Sequence, residues 1–109
     1  MSAPATTATT WQWPADVLAF AAEHHLEAYL DPLLEVVRQL FPNPRQLKVF
    51  VAQDPELRDV RDIAFYVQVV DWDLPQIRAA HQQWSQALFR LCPAPVVCFF
   101  GLLLDVERS

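Results

Sequence analysis

The chain of 109 residues contains a single glycine, Gly101, a single lysine, Lys48, and only three serines. Each scarcity excludes a class of chemistry. Phosphate-cradling loops, dinucleotide fingerprints and nucleophile elbows need several backbone positions without a Cβ, and one glycine cannot supply them. Ser85 is the one serine within a helical pattern, beside Trp84 and one turn from His81. It lacks both the strained turn that presents a nucleophilic hydroxyl and the neighbouring amides that would hold an oxyanion.

Positive charge is also scarce: eight Lys and Arg face thirteen Asp and Glu, a formal net of −5. Affinity for a phosphate backbone comes chiefly from clustered cations, and the arginines here are scattered singly, so no nucleic-acid partner is expected. The longest apolar run, residues 94–104, is broken by Pro95 and Gly101. It falls short of the roughly 20 residues that cross a bilayer, so no membrane partner is expected either. Residues 1–10 have neither the basic nor the apolar region of a secretion signal, and the expected location is cytoplasmic. Two cysteines in that setting, Cys92 and Cys98, read as free structural thiols, because a C-x5-C spacing around Pro-Ala-Pro is not a redox motif.

What the sequence does have is apolar and aromatic bulk: 53% of residues are hydrophobic and 12% aromatic. A chain of this size hides about 65% of its unfolded surface, enough for a core without disulfides or metal. Residues 1–13 are expected to be a flexible tail that ends at Trp11 and Trp13, and 14–109 a single domain. Val17, Leu18, Ala21, Ala22, His25, Leu26 and Tyr29 recur at helical steps, and Pro32 then predicts a break, giving helices over about 14–30 and 32–41. Asp31 and Pro32 are the expected N-cap and first position of the second helix.

Alternation predicts strands over about 46–53 and 62–71, joined by the acidic connection Asp54–Asp62. Asp73 and Gln76 match a capping box for a third helix running to about Leu91. Residues 96–106 read as a last strand. The order α-α-β-β-α-β predicts an α+β, two-layer fold with a three-stranded antiparallel or mixed sheet packed by helices, the last strand parallel to the second.

Candidate binding residues are Asp54, Glu56 and Asp59 in the acidic connection, and Tyr66 and Trp72 among the aromatics. Clustered carboxylates can hold Mg²⁺ or form an acid/base pair. Here Arg58 and Arg61 are interleaved and Asp54-Pro55 is turn chemistry, which favours a solvated turn. His24 and His25 point about 100° apart on a helix and cannot chelate one ion together. No cofactor, metal or catalytic residue is expected.

The leading reading is a non-enzymatic interaction or accessory domain that forms a homodimer, with an unidentified protein as a further candidate partner. A metal-dependent hydrolase or nuclease using Asp54, Glu56 and Asp59 is the alternative, and a small-molecule binder with an aromatic pocket a third. The dimer expectation rests on sheet geometry: Phe50, Ala52, Tyr66, Val70 and one row of the last strand would face away from the first layer of helices.

Overall fold

The computed structural model describes residues 11–53, 56 and 61–109. Its elements are α1 (Ala15–His24), α2 (Glu27–Leu40), β1 (Gln46–Gln53), β2 (Arg61–Val70), α3 (Leu74–Leu91), a single turn α4 (Ala94–Val97) and β3 (Phe100–Glu107). The fold is α+β with a three-stranded mixed sheet in the order β1-β2-β3. β1 pairs with β2 antiparallel and β3 runs parallel to β2, as the order of elements predicts.

The two N-terminal helices divide at a different place from the one Pro32 predicts. Chain direction changes at His25, a left-handed residue with φ 60°. The Leu26 amide donates to the Ala21 carbonyl at 2.7 Å and the His25 amide to Ala22 at 3.4 Å, the paired bonds of a Schellman stop. Leu26, the residue after the stop, is fully buried. Pro32 lies inside α2. A helical proline costs about 3 kcal/mol. Leu30, Leu33, Leu34 and Val37 are all buried by the helix that contains it, and full burial of one such side chain is worth about 1.5–3 kcal/mol, so the packing outweighs the proline. Asp31 is therefore not an N-cap; its carboxylate accepts the Trp13 indole N–H at 3.0 Å.

The third helix begins as the sequence predicts. The Asp73 carboxylate accepts the Gln76 amide and the Gln76 side chain accepts the Asp73 amide, both at 2.9 Å. The last strand is shorter than expected: residues 94–97 form α4 and pairing starts at Phe100. Pro93 and Pro95 give that turn its fixed φ, and a short apolar run is equally compatible with a strand or a helical turn.

The core lies between the helices and one face of the sheet. Val49 of β1, Ile63, Phe65, Val67 and Val69 of β2 and Phe100 of β3 are buried there with Val17, Phe20, Leu33, Val37, Trp84 and Leu88 of the helices. Phe65 is at its centre, with the rings of Trp84 (5.4 Å), Trp13 (6.3 Å) and Phe100 (6.5 Å) around it. Trp11 and Trp13 pack edge to face at 5.6 Å against this core, so the domain is anchored from those indoles onward. No described helix is long and apolar enough to cross a membrane.

Candidate functional site

Side chains alternate across a strand, so the residues between the core positions form the second face of the sheet. The register places them in rows. Gln46 stands beside Gln68 and Asp105, Lys48 beside Tyr66 and Leu103, Phe50 beside Ala64 and Gly101, and Ala52 beside Asp62. None of Lys48, Phe50, Tyr66 or Leu103 belongs to the core cluster or packs against it. The helices thus cover one face and leave the other.

This open face has a polar end and an apolar middle. At the polar end the Tyr66 hydroxyl donates to Asp105 at 2.9 Å and the Gln68 amide donates to the same carboxylate oxygen at 3.2 Å. The bond to Asp105, joined by some burial and by the negative charge itself, pushes the Tyr66 phenol above its usual value. The Lys48 ammonium lies 6.0 Å from the centre of the Tyr66 ring, at the outer limit of a cation–π contact. At the same end of the sheet, Arg45, just before β1, and Glu107, the last residue of β3, form an ion pair at 2.8 Å.

In the middle the small residues Ala64 and Gly101 stand side by side next to Phe50; Ala64 is covered by its neighbours at 2% exposure, whereas Leu103 is 47% exposed. A Cβ placed on Gly101 would meet an Asp62 carboxylate oxygen at 3.3 Å, so the only glycine leaves room for that carboxylate. Asp62 is half-buried, and burial pushes its pKa up against a smaller opposing pull from its own backbone amide. No cation pairs with it among the described residues.

Of the residues singled out from the sequence, Tyr66 is on this face. Trp72 is not: it stacks on Phe41 at 5.2 Å on the helix-covered side, and its carbonyl accepts from Arg108 at 2.9 Å. The two aromatics therefore do not form one pocket. Glu56 is exposed in the connection between β1 and β2, while Asp54 and Asp59 lie outside the described residues. Asp73 caps α3, but Asp71 does not cap it. With φ 57°, Asp71 turns the chain after β2, and its carboxylate accepts the Ser109 hydroxyl and amide, which hold its pKa down. Lys48 and Leu103 are not among the residues singled out from the sequence, and Asp62 enters there only as the last carboxylate of the acidic connection, although the period-two alternation that names Phe50 and Tyr66 also passes through Lys48 and Asp62.

Other chemistry is sparse. Among the described residues no three His, Cys, Asp or Glu side chains converge as metal ligands would. His24 sits between the rings of Phe20 (4.5 Å) and Phe99 (4.8 Å), bordering the core, while His25 and His81 are exposed. Cys92 is buried, which pushes its thiol pKa up, and exposed Cys98 donates to the Pro95 carbonyl. The larger clefts are open. One of about 380 Å³ runs between α1 and the sheet, where the Arg61 guanidinium lies 5.6 Å from the Phe20 ring. Another, of about 410 Å³, lies beside Trp72 and Arg45. Neither gathers a nucleophile and a base.

Comparison with known proteins found no matching family model, curated relative or solved structure.

Proposed function

We propose that the protein is a non-enzymatic interaction or accessory domain that self-associates, and that the helix-free face of its sheet is the surface through which it does so. The observation that supports this reading is the composition of that face. Phe50, Leu103 and the Tyr66 ring give it an apolar centre, and Lys48 and Asp62 give it charges without ion-pair partners among the described residues. A sheet face that only meets water is normally polar at every second residue. Apolar surface rimmed by charge is what docking surfaces carry.

The test is site-specific crosslinking in living cells that express the full chain. A photoreactive amino acid at Leu103 is expected to give a discrete adduct with a second copy of the chain, identified by mass spectrometry, whereas the same group at Gln82 on the exposed side of α3 gives none. Equal yields from both positions, or no adduct from Leu103, overturn the reading.

A further inference from the structure

The open face carries one positive and one negative side chain at positions that a two-fold axis can exchange. Lys48 stands beside Tyr66, and Asp62 lies four residues earlier on β2. At about 3.3 Å per residue and about 4.8 Å between strands, the two Cα atoms are roughly 14 Å apart, mostly along the strand direction. The midpoint of that line falls between Phe50 and Ala64, a directly paired couple.

We infer that two copies of this chain pack open face to open face about a two-fold axis through the Phe50–Ala64 pair, with Lys48 of each copy on Asp62 of the other. The inference rests on the self-association reading above and specifies its geometry. An axis in the plane between the sheets and perpendicular to the Lys48–Asp62 line exchanges the two charges. One interface therefore contains the ion pair twice. The Lys48–Asp62 line is inclined about 20° to the strands, so the strands of the two sheets cross at about 40°, near the angle of aligned sheet packing.

The same operation accounts for the neighbouring residues. In a flat projection Phe50 meets its own copy at the axis, and Leu103 and Tyr66 fall over the stretch of the partner's face occupied by the small residues Ala64 and Gly101. Asp105, already held by Tyr66 and Gln68, falls outside the partner's sheet, so its charge meets no carboxylate. Asp62 gains a cation that it lacks among the described residues of its own chain, and Lys48 needs only to swing from the Tyr66 ring.

A helical or hydrophobic partner of another kind could cover Phe50 and Leu103, but it would have no reason to present an acid and a base at this spacing. A second copy presents both by symmetry.

The face measures roughly 400 Å² in plan, about 800 Å² over the two copies and below the size of a stable interface, so the association is of the weak, reversible class that dilution reveals. The test is the mass from light scattering coupled to size exclusion, over about 10–500 µM, for the full chain and three variants. Lys48→Glu and Asp62→Lys each place like charges together twice, and each is expected to weaken the dimer at least about tenfold. The double variant restores both pairs with reversed sign and is expected to return the dimer constant to within about threefold.

Circular dichroism and the melting temperature of each variant show whether it folds. Should Asp62→Lys fail to fold, Asp62→Asn is measured with Lys48→Gln in its place. Each is then expected to weaken the dimer, and the double variant to lose no more than the worse single.

In addition, Phe50→Cys in a Cys98→Ser background is expected to crosslink to itself with a short bismaleimide but not by direct oxidation, because position 50 meets its own copy across the roughly 10 Å between packed sheets, too far for a disulfide. A monomer at every concentration overturns the inference and, with it, self-association. A dimer indifferent to the single swaps, or not restored by the double one, overturns this geometry and leaves self-association standing. An adduct from Leu103 made only with a different protein overturns it as well, while the interaction-domain reading survives.

Discussion

Phe65 and Tyr66 are neighbours in β2, yet they belong to surfaces with opposite physics. Phe65 is fully buried among Trp13, Trp84 and Phe100, and its row continues through Val49, Val67 and Val69 into the same core. Tyr66 faces away, bonded to an exposed carboxylate and grazed by a lysine. The first face is specified by volume and exclusion of water, and among the described residues no polar or charged residue is buried in it. The second is specified by the position of a few charges around a small apolar centre. Stability is thus concentrated on one side of the strands, and recognition is proposed for the other.

The sharpest way to break this contrast is to truncate one residue on each side. Phe65→Ala removes a ring from the middle of the core, and the expected loss is about 3–5 kcal/mol, a large share of the 5–15 kcal/mol that holds a domain of this kind together. Urea denaturation measures it. A loss below about 1 kcal/mol would show that the ring sits in a site loose enough to collapse around the deletion.

Next in size is a local effect that belongs to neither face. Asp73→Ala removes the acceptor of the α3 capping box and is expected to cost about 1 kcal/mol in the same assay, with Asp73→Ser recovering most of it. Smaller again is Leu103→Ala, whose side chain is 47% exposed on the open face. It is expected to shift monomer stability by no more than about 0.5 kcal/mol. A loss comparable to that of Phe65→Ala would mean that the second face is covered within one chain, and the comparison of faces would collapse.

The least effect is a pH dependence. Burial holds the Asp62 pKa above its usual 3.8 in the folded chain. Between that value and the raised one the native state binds more protons than the unfolded state, so stability falls as pH rises through this window. The destabilisation is absent below the ordinary value and fully present above the raised one. Asp62→Asn is expected to remove this slope when unfolding is followed by urea between pH 3 and about 7, at dilutions where the chain is monomeric. Asp71 contributes the opposite slope, because its carboxylate is held down by Ser109: that stability is present above the usual value and lost as pH falls through the lowered one. An unchanged profile in Asp62→Asn would show that the carboxylate is better solvated than its position beside Gly101 indicates.

Sequence periodicity carried the sheet and α3 well because their signals are short-range. Alternation between Gln46 and Gln53 and the Asp73/Gln76 pair are complete within a few residues. The helix boundary near residue 25 was illegible for the opposite reason. A histidine at positive φ gives no local cue of the kind glycine gives, and Pro32 gives a false one that only the burial of distant side chains overrides. The site was legible in part. Alternation placed Phe50 and Tyr66 on the outward row, but Trp72 was drawn to the helical side by its stacking on Phe41, a contact that joins separate elements. The placing of Gly101 beside Ala64 needed the pairing of β2 with β3, and a parallel register between remote segments leaves no signature in the chain.

That parallel register also sets an order in time. β1 and β2 are neighbours in sequence and can close on each other early, whereas Ile63 waits for Phe100, about forty residues later, before the other edge of β2 is occupied. Until α3 has formed and carried the chain back, the central strand of the finished sheet is an edge strand, with unpaired amides and carbonyls beside a row of valines. Chains interrupted at this stage, by slow synthesis or by a mutation that weakens α3, are therefore expected to aggregate through β2. Asp73→Ala should lower the soluble yield of newly made protein more than its small equilibrium cost implies, and pulse-labelled solubility measured against the refolded yield reads out the difference.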